Sequence, residues 1–293
     1  MNLCDPRTIK DIMKIFGVTF RHEFGQNFLT DQNVVAEIAE SAITGDTKTA
    51  LEIGAGFGAL TRELSLRCEN VIAVEIDRGL IPLLGYTLND CRNVELVCAD
   101  ITKTDLRELT ADAFARGGVS VCANLPYYVT TPILTMLLES RLPFDCITLM
   151  VQSEVADRLC AHPGKPEYGS VTAYLNYFGV CERLFNVSSS KFLPAPKVDS
   201  SVVRITPHAE RPVVPKDEET FFRVIRAAFG QRRKTLPNAL SAVFTDIPKA
   251  DLTLAVEKAG FDPSIRGERL GVPEFAAVAD AVYELASQTK EGE

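Results

Sequence analysis

Residues 51–64 read LEIGAGFGALTREL, and the architecture turns on them. The stretch begins inside an apolar run, TALEIGA (49–55), and ends inside GALTRELSLRC (58–68), where apolar residues recur at helical spacing. Between the two, Gly54, Gly56 and Gly58 permit positive φ and let a ligand approach the backbone closely. A strand that passes through a glycine turn into a helix opens a βαβ unit. The glycines alone also fit a tight turn with no ligand. Their spacing is not the G-x-G-x-x-G of a dinucleotide site, which sets a pyrophosphate on the helix N-terminus.

The alternation continues outward from this stretch. NVIAVEID (70–77), VELVCAD (94–100), VSVCANL (119–125) and CITLMVQ (146–152) are strand-like, and segments such as TTPILTMLLESRL (130–142) separate them at helical spacing. This pattern predicts an α/β fold, a mainly parallel sheet covered by helices on both faces. SSVVRIT (200–206) adds a strand, and the three prolines and many charges of residues 207–219 predict a linker. ETFFRVIRAAF (219–229), KADLTLAVEKAG (249–260) and PEFAAVADAVYELA (273–286) read as helices. The expected organisation is an α/β domain over 1–206, a linker over 207–219 and a small all-helical domain over 220–293.

Composition narrows the function classes. The 293 residues are 46% hydrophobic and 24% charged, enough for a sizeable core, and no run approaches a membrane span or an export leader. Eight scattered cysteines without a C-x-x-C pair, several in apolar runs (Cys98, Cys122, Cys146), and only three histidines predict reduced core thiols, a cytoplasmic location and no metal site. The net charge of -8 argues against a nucleic-acid partner. Residues 221–240 argue the other way, because Arg223, Arg226, Arg232, Arg233 and Lys234 stand there without a carboxylate. Arginines lying along an amphipathic helix are the competing explanation of that stretch.

The strand ends carry the candidate site. Glu75 closes the second strand, where a carboxylate accepts from two ribose hydroxyls, with Asp77 as the nearby competitor. Asp100 closes the third and fits either an adenine amino group or a helix N-cap. NLPYYVTTP (124–132) follows the fourth, where a plain turn is the other reading of Asn and Pro. Three ligand-like elements at successive strand ends outweigh any one of them, because open α/β sheets bind ligands at that edge.

Taken in order, EIGAGFG, VIAVEID, CADI and NLPYY resemble the S-adenosylmethionine-dependent methyltransferases of Rossmann-like fold, and specifically the ribosomal RNA adenine N6,N6-dimethyltransferases. FGQNFLTD (24–31), residues 151–178, FLPAPKVDSSVV (192–203) and AAFGQRRKTLPNAL (227–240) resemble the bacterial small-subunit branch, so the likeness spans nearly the whole chain. It implies that Asn27 and Leu29, within an N-terminal segment over 1–30, join Gly54, Gly56, Glu75, Asp100 and Asn124 in holding S-adenosylmethionine. That cofactor carries a sulfonium and no phosphate, which suits a glycine loop poor in basic residues.

The resemblance also implies the substrate: N6 of two adjacent adenosines in a hairpin near the 3′ end of 16S ribosomal RNA in the small ribosomal subunit, with a role in subunit biogenesis. An adenine amine is a poor nucleophile and must be drawn out of the RNA. The Asn124 side-chain carbonyl and the Leu125 backbone carbonyl are expected to accept the N6 hydrogens and aim the lone pair at the methyl. Pro126 stiffens that geometry. Tyr127 and Phe192 are expected to stack on the base, and Tyr128 to serve as pocket wall. Direct displacement needs neither metal nor covalent intermediate, and a monomer is expected.

Two departures from the family, RHE (21–23) where more basic residues are common and Ser153 where lysine is common, reduce local phosphate attraction. The competing readings are the related 23S enzyme of the macrolide-resistance type and a non-catalytic RNA-binding assembly factor on the same fold.

Overall fold

Five parallel strands set their C-terminal ends along one edge of a sheet in the computed structural model, which describes residues 1–20, 26–126 and 129–291, with side chains through 287. In chain order the first elements are α1 (Pro6–Phe16), β1 (Phe28–Leu29), α2 (Gln32–Ala42), β2 (Thr47–Ile53), α3 (Ala59–Ser65), β3 (Asn70–Glu75), α4 (Ile81–Thr87) and β4 (Val94–Cys98). Then come α5 (Leu106–Arg116), β5 (Gly118–Asn124), α6 (Thr130–Glu139), β6 (Ile147–Gln152), α7 (Ser153–Leu159), α8 (Ser170–Phe178), β7 (Gly179–Val187), β8 (Phe192–Leu193) and β9 (Ser200–Pro207). The helices α9 (Glu218–Gly230), α10 (Leu236–Ser241), α11 (Lys249–Lys258) and α12 (Val272–Glu291) complete the chain.

The seven-stranded sheet runs β4-β3-β2-β5-β6-β9-β7, with β9 antiparallel to β6. Register places Leu51 between Ile72 and Val121, so the strand that begins the glycine turn sits inside the sheet. Its neighbours on both faces explain the near-continuous burial of β2, β3, β5 and β6, whose sequences run apolar instead of alternating. The edge strand β4 is only partly covered, and Cys98 on it is exposed. That corrects the expectation of a core thiol there, because an apolar run at a sheet edge lacks a second neighbour.

The chain forms two compact units, 1–156 with 182–207 and 157–181 with 208–293. The second boundary falls next to the expected end of the α/β domain, but residues 157–181 belong with the helices. Their aromatic side chains explain it: Tyr168 and Tyr177 are fully buried in one core with Phe221, Phe275, Leu236 and Val282. The Tyr168 hydroxyl donates to the Leu270 carbonyl at 2.9 Å. The 207–219 stretch is likewise no free tether. Arg211 donates to the Tyr177 hydroxyl at 2.9 Å and to Glu218 at 2.7 Å, and the Lys216 N–H donates to Asp280 at 2.8 Å. Among the described residues no helix is long and apolar enough to cross a membrane.

Candidate active site

The turn after β2 is built by hydrogen bonds that only a sharply bent backbone can make. The N–H groups of Gly54 and Ala55 both donate to the Val74 carbonyl, at 2.8 and 3.2 Å, and φ is +85°, +58° and +82° at Gly54, Gly56 and Gly58. The left-handed conformation demands glycine at position 58, where a Cβ would also lie a tight 3.0 Å from the Leu88 side chain. Gly58→Ala is expected to destabilise the first unit by about 1–3 kcal/mol, the usual cost of forcing a side chain into the left-handed region. Urea denaturation measures it, and an unchanged midpoint would contradict the assignment.

Glu75 holds this turn. Its carboxylate is buried and accepts from the Gly56 N–H at 2.8 Å on one oxygen and from the Asp77 N–H at 2.8 Å on the other. Burial raises its pKa above the ordinary carboxylate value, and the two backbone donors oppose the rise. Each oxygen keeps a further lone pair for a ligand. Asp77, the competitor, is engaged elsewhere: it is buried and accepts from the Gln26 side chain at 3.1 Å and the Gly79 N–H at 2.9 Å.

Asp100 does two things at once. It caps the short turn at Ile101–Lys103, accepting from the Thr102 N–H at 3.1 Å and the Thr102 hydroxyl at 2.7 Å, while lining the same cavity as Glu75. The Thr102 hydroxyl holds its carboxyl below the usual range, with Lys103 at 3.3 Å helping. The N-cap reading was therefore correct without excluding the site reading.

A two-stranded ribbon supplies the facing wall. β1 and β8 pair antiparallel, Phe28 with Leu193 and Leu29 with Phe192, which brings the NFL and FLPAP segments together. Asn27, Leu29 and Phe192 line the cavity, and Phe192 is buried within the surrounding core. Asn124, at the end of β5, lines it as well, followed by Leu125 and Pro126. The Pro126 carbonyl accepts from the Val129 N–H at 3.1 Å, turning the chain into α6. Tyr127 and Tyr128 lie outside the described residues, as do residues 21–25.

Sequence reasoning passed over one group. Glu52 appeared only as a letter of the glycine motif, yet it lines the cavity at 1% exposure with its Oε2 lacking a hydrogen-bond partner among the described residues. The period-two pattern of a strand does not reveal an orphaned oxygen. With Glu52, Glu75 and Asp100 the described lining holds three carboxylates and no lysine, arginine or histidine. A cationic ligand without phosphate, approaching a glycine cradle, fits that donor set, and S-adenosylmethionine is such a ligand.

The basic stretch divides on inspection. Arg223 packs its guanidinium over the Phe244 ring at 4.5 Å, and Arg232 pairs with Glu268 at 2.8 Å and donates to the Lys165 carbonyl. These two are occupied by packing within the second unit. Arg226, Arg233 and Lys234 are exposed and make no ion pair among the described residues.

Comparison with known proteins shows the family. Residues 17–257 match the family model described as ribosomal RNA adenine dimethylase. The ribosomal RNA small subunit methyltransferase A of Geobacillus thermodenitrificans is 44% identical over 288 residues, covering 97% of this chain and 98% of that protein. Its namesake from Bacillus mycoides is 42% identical over 284 residues, covering 96% and 97%. Among solved structures, a dimethyladenosine transferase from Plasmodium falciparum has a TM-score of 0.74 at 25% identity, covering 89% of this chain and 98% of that one. A 23S rRNA methyltransferase, ErmE, has a TM-score of 0.68 at 24% identity, covering 87% and 99%, a likeness of fold.

Proposed function

The chain belongs to the ribosomal RNA adenine dimethylase family, and from that premise we propose that it methylates N6 of two adjacent adenosines in a hairpin near the 3′ end of 16S ribosomal RNA, using S-adenosylmethionine. The observation that carries the proposal is the convergence of the glycine turn, Glu75, Asp100 and the Asn124–Leu125–Pro126 corner on one cavity. The small-subunit target rests on relatives of 42–44% identity that bear that name over nearly their whole length. A role in small-subunit biogenesis follows from the same target.

S-adenosylmethionine, when bound, supplies a methyl group on a sulfonium. The chain's own part is to hold, orient and exclude water. Glu75 accepts from the ribose hydroxyls with the lone pairs its backbone donors leave over, and Asp100 accepts from the adenine amino group while it caps its turn. Asn27, Leu29 and Gly54 shape the remaining wall. On the substrate side, the Asn124 side-chain carbonyl and the Leu125 backbone carbonyl accept the two N6 hydrogens, turning the lone pair toward the reacting carbon. Pro126 fixes its own φ and restricts Leu125, so the acceptors are in position before the base arrives. Tyr127 and Phe192 supply stacking faces, worth about 1–3 kcal/mol per base. Catalysis of this kind rests on proximity and preorganised dipoles.

RNA is gripped in part through the second unit. Of the five basic residues that the sequence singled out, Arg226, Arg233 and Lys234 serve as phosphate contacts, and Arg223 and Arg232 position the helix and turn that carry them.

The test is transfer of labelled methyl from S-adenosylmethionine to small and large subunits from cells lacking the modification, followed by nucleoside mass analysis. N6,N6-dimethyladenosine at two adjacent small-subunit positions is the expected product. Label confined to the large subunit would transfer the assignment to the 23S branch, and cofactor binding without label would favour a non-catalytic assembly factor. In equilibrium RNA-binding titrations at several salt concentrations, Arg233→Ala with Lys234→Ala is expected to weaken binding and reduce the slope of log K against log salt by about 2. Affinity for the cofactor product is expected to stay unchanged; an unaltered salt slope would remove both residues from the RNA surface.

A further inference from the structure

Two of the eight cysteines meet in space. Cys160, just past the end of α7, and Cys181, on β7, stand with their Sγ atoms 3.4 Å apart. The local fold explains the encounter. Thr172 of α8 donates its hydroxyl to the Arg158 carbonyl at 2.6 Å, which fixes the end of α7 beside α8, and α8 runs into β7 at Gly179 without a loop. Both cysteines belong to the second unit, and neither lines the cofactor cavity. Each is half-buried and so open to a small solute, whereas Cys4, Cys122 and Cys146 are buried.

Two thiols in contact can do what neither does alone. A sulfenic acid formed on a single thiol waits for a partner from solution, and one formed beside a second thiol condenses with it to a disulfide. An S–S bond is about 2.05 Å long, so these sulfurs have only about 1.4 Å to close. Cys98, although exposed, makes no sulfur contact among the described residues. We propose that Cys160 and Cys181 form a dithiol site oxidised by peroxide, whose reversible disulfide closes residues 160–181 into a loop within the second unit.

The chemistry balances without any further reactant. One thiolate of the pair attacks an oxygen of hydrogen peroxide, forming an S–O bond as the O–O bond breaks and hydroxide leaves. The second thiolate attacks that sulfur, forming the S–S bond and expelling the other oxygen as hydroxide. The two thiol protons convert both hydroxides to water, and two electrons have passed from sulfur to oxygen. Exchange with a small dithiol reverses the bond. The mechanical consequence falls on α8, which packs Tyr177 on Phe221 at 5.0 Å and Tyr174 on Phe222 at 4.8 Å between ring centroids. Closing the loop restricts the segment once it has opened, so α8 leaves this core less often in the oxidised protein.

Hydrogen peroxide added to the full, reduced chain tests the site, with remaining thiols blocked by N-ethylmaleimide before digestion. Cleavage after glutamate divides the two cysteines between residues 155–167 and 168–182. The expected product is these two peptides joined, two hydrogens lighter than their sum and separated by dithiothreitol. Thiol titration of the denatured chain should show the loss of two of the eight thiols. Cys181→Ser should give no joined pair. Hydrogen exchange of the α8 amides should slow by about tenfold or more on oxidation and recover with dithiothreitol. Survival of both thiols under an excess of peroxide that consumes Cys98 would overturn the proposal, as would a disulfide formed elsewhere in preference. Unchanged α8 exchange in fully oxidised protein would overturn the mechanical role. If the variant does not fold, the peptide map of the natural chain decides alone.

Discussion

Asn124→Ala is expected to lower the rate of methyl transfer by about 10²–10³-fold, the loss typical of removing one preorganised dipole from a reacting centre. Affinity for S-adenosylhomocysteine should change by no more than about threefold, because the cofactor keeps Glu75, Asp100 and the glycine turn. The expectation follows from where the residue stands. Asn124 is the last residue of β5, its position fixed by pairing beside Met150 of β6, and Pro126 follows two residues later. Truncation leaves this backbone intact and removes the side-chain amide, and with it the carbonyl that accepts an N6 hydrogen. Single-turnover kinetics with small subunits, alongside calorimetry, separates the two effects. Unchanged turnover would remove Asn124 from the mechanism, and lost cofactor binding would make it a cofactor ligand first.

Glu75→Ala should fail at the opposite step. The Gly56 and Asp77 N–H groups lose their shared acceptor, and two ribose hydroxyls lose theirs. Hydrogen bonds to a charged group contribute about 1.5–3 kcal/mol each, so losing the ribose pair alone weakens S-adenosylhomocysteine binding by at least about 100-fold. Loosening of the turn adds to that. The Kd is the quantity to measure, and a change under about fivefold would contradict the role. The two substitutions together distinguish a residue that binds the methyl donor from one that orients the acceptor.

Both residues were legible in the sequence because parallel strands announce themselves as continuous apolar runs and end where the ligand edge lies. The mainly parallel sheet followed from the same runs, whereas its strand order did not. Other features depended on partners distant in the chain. β1 and β8 are two residues each, too short for any periodicity, and exist only because they pair. Residues 157–181 looked continuous with the strand before them, and only the burial of Tyr168 and Tyr177 among later helices assigns them elsewhere. Five basic residues in a row of twenty looked alike, although a ring beneath Arg223 and a carboxylate beside Arg232 set those two apart. Glu52 was visible as a letter and silent as a charge, since an orphaned oxygen is a property of its surroundings.

The pairing of β1 with β8 has a consequence for how the protein is made. Asp31, just after β1, forms a 2.6 Å ion pair with Lys191, just before β8, across 160 positions of sequence. At typical rates of translation, roughly 10–30 s separate the emergence of these two residues from the ribosome. During that interval β2 to β6 can assemble and the glycine turn can form, while one wall of the cavity still awaits its second strand. The nascent chain thus acquires the five parallel strands of its sheet before it can enclose a small molecule, and enclosure comes only after β8 has been synthesised.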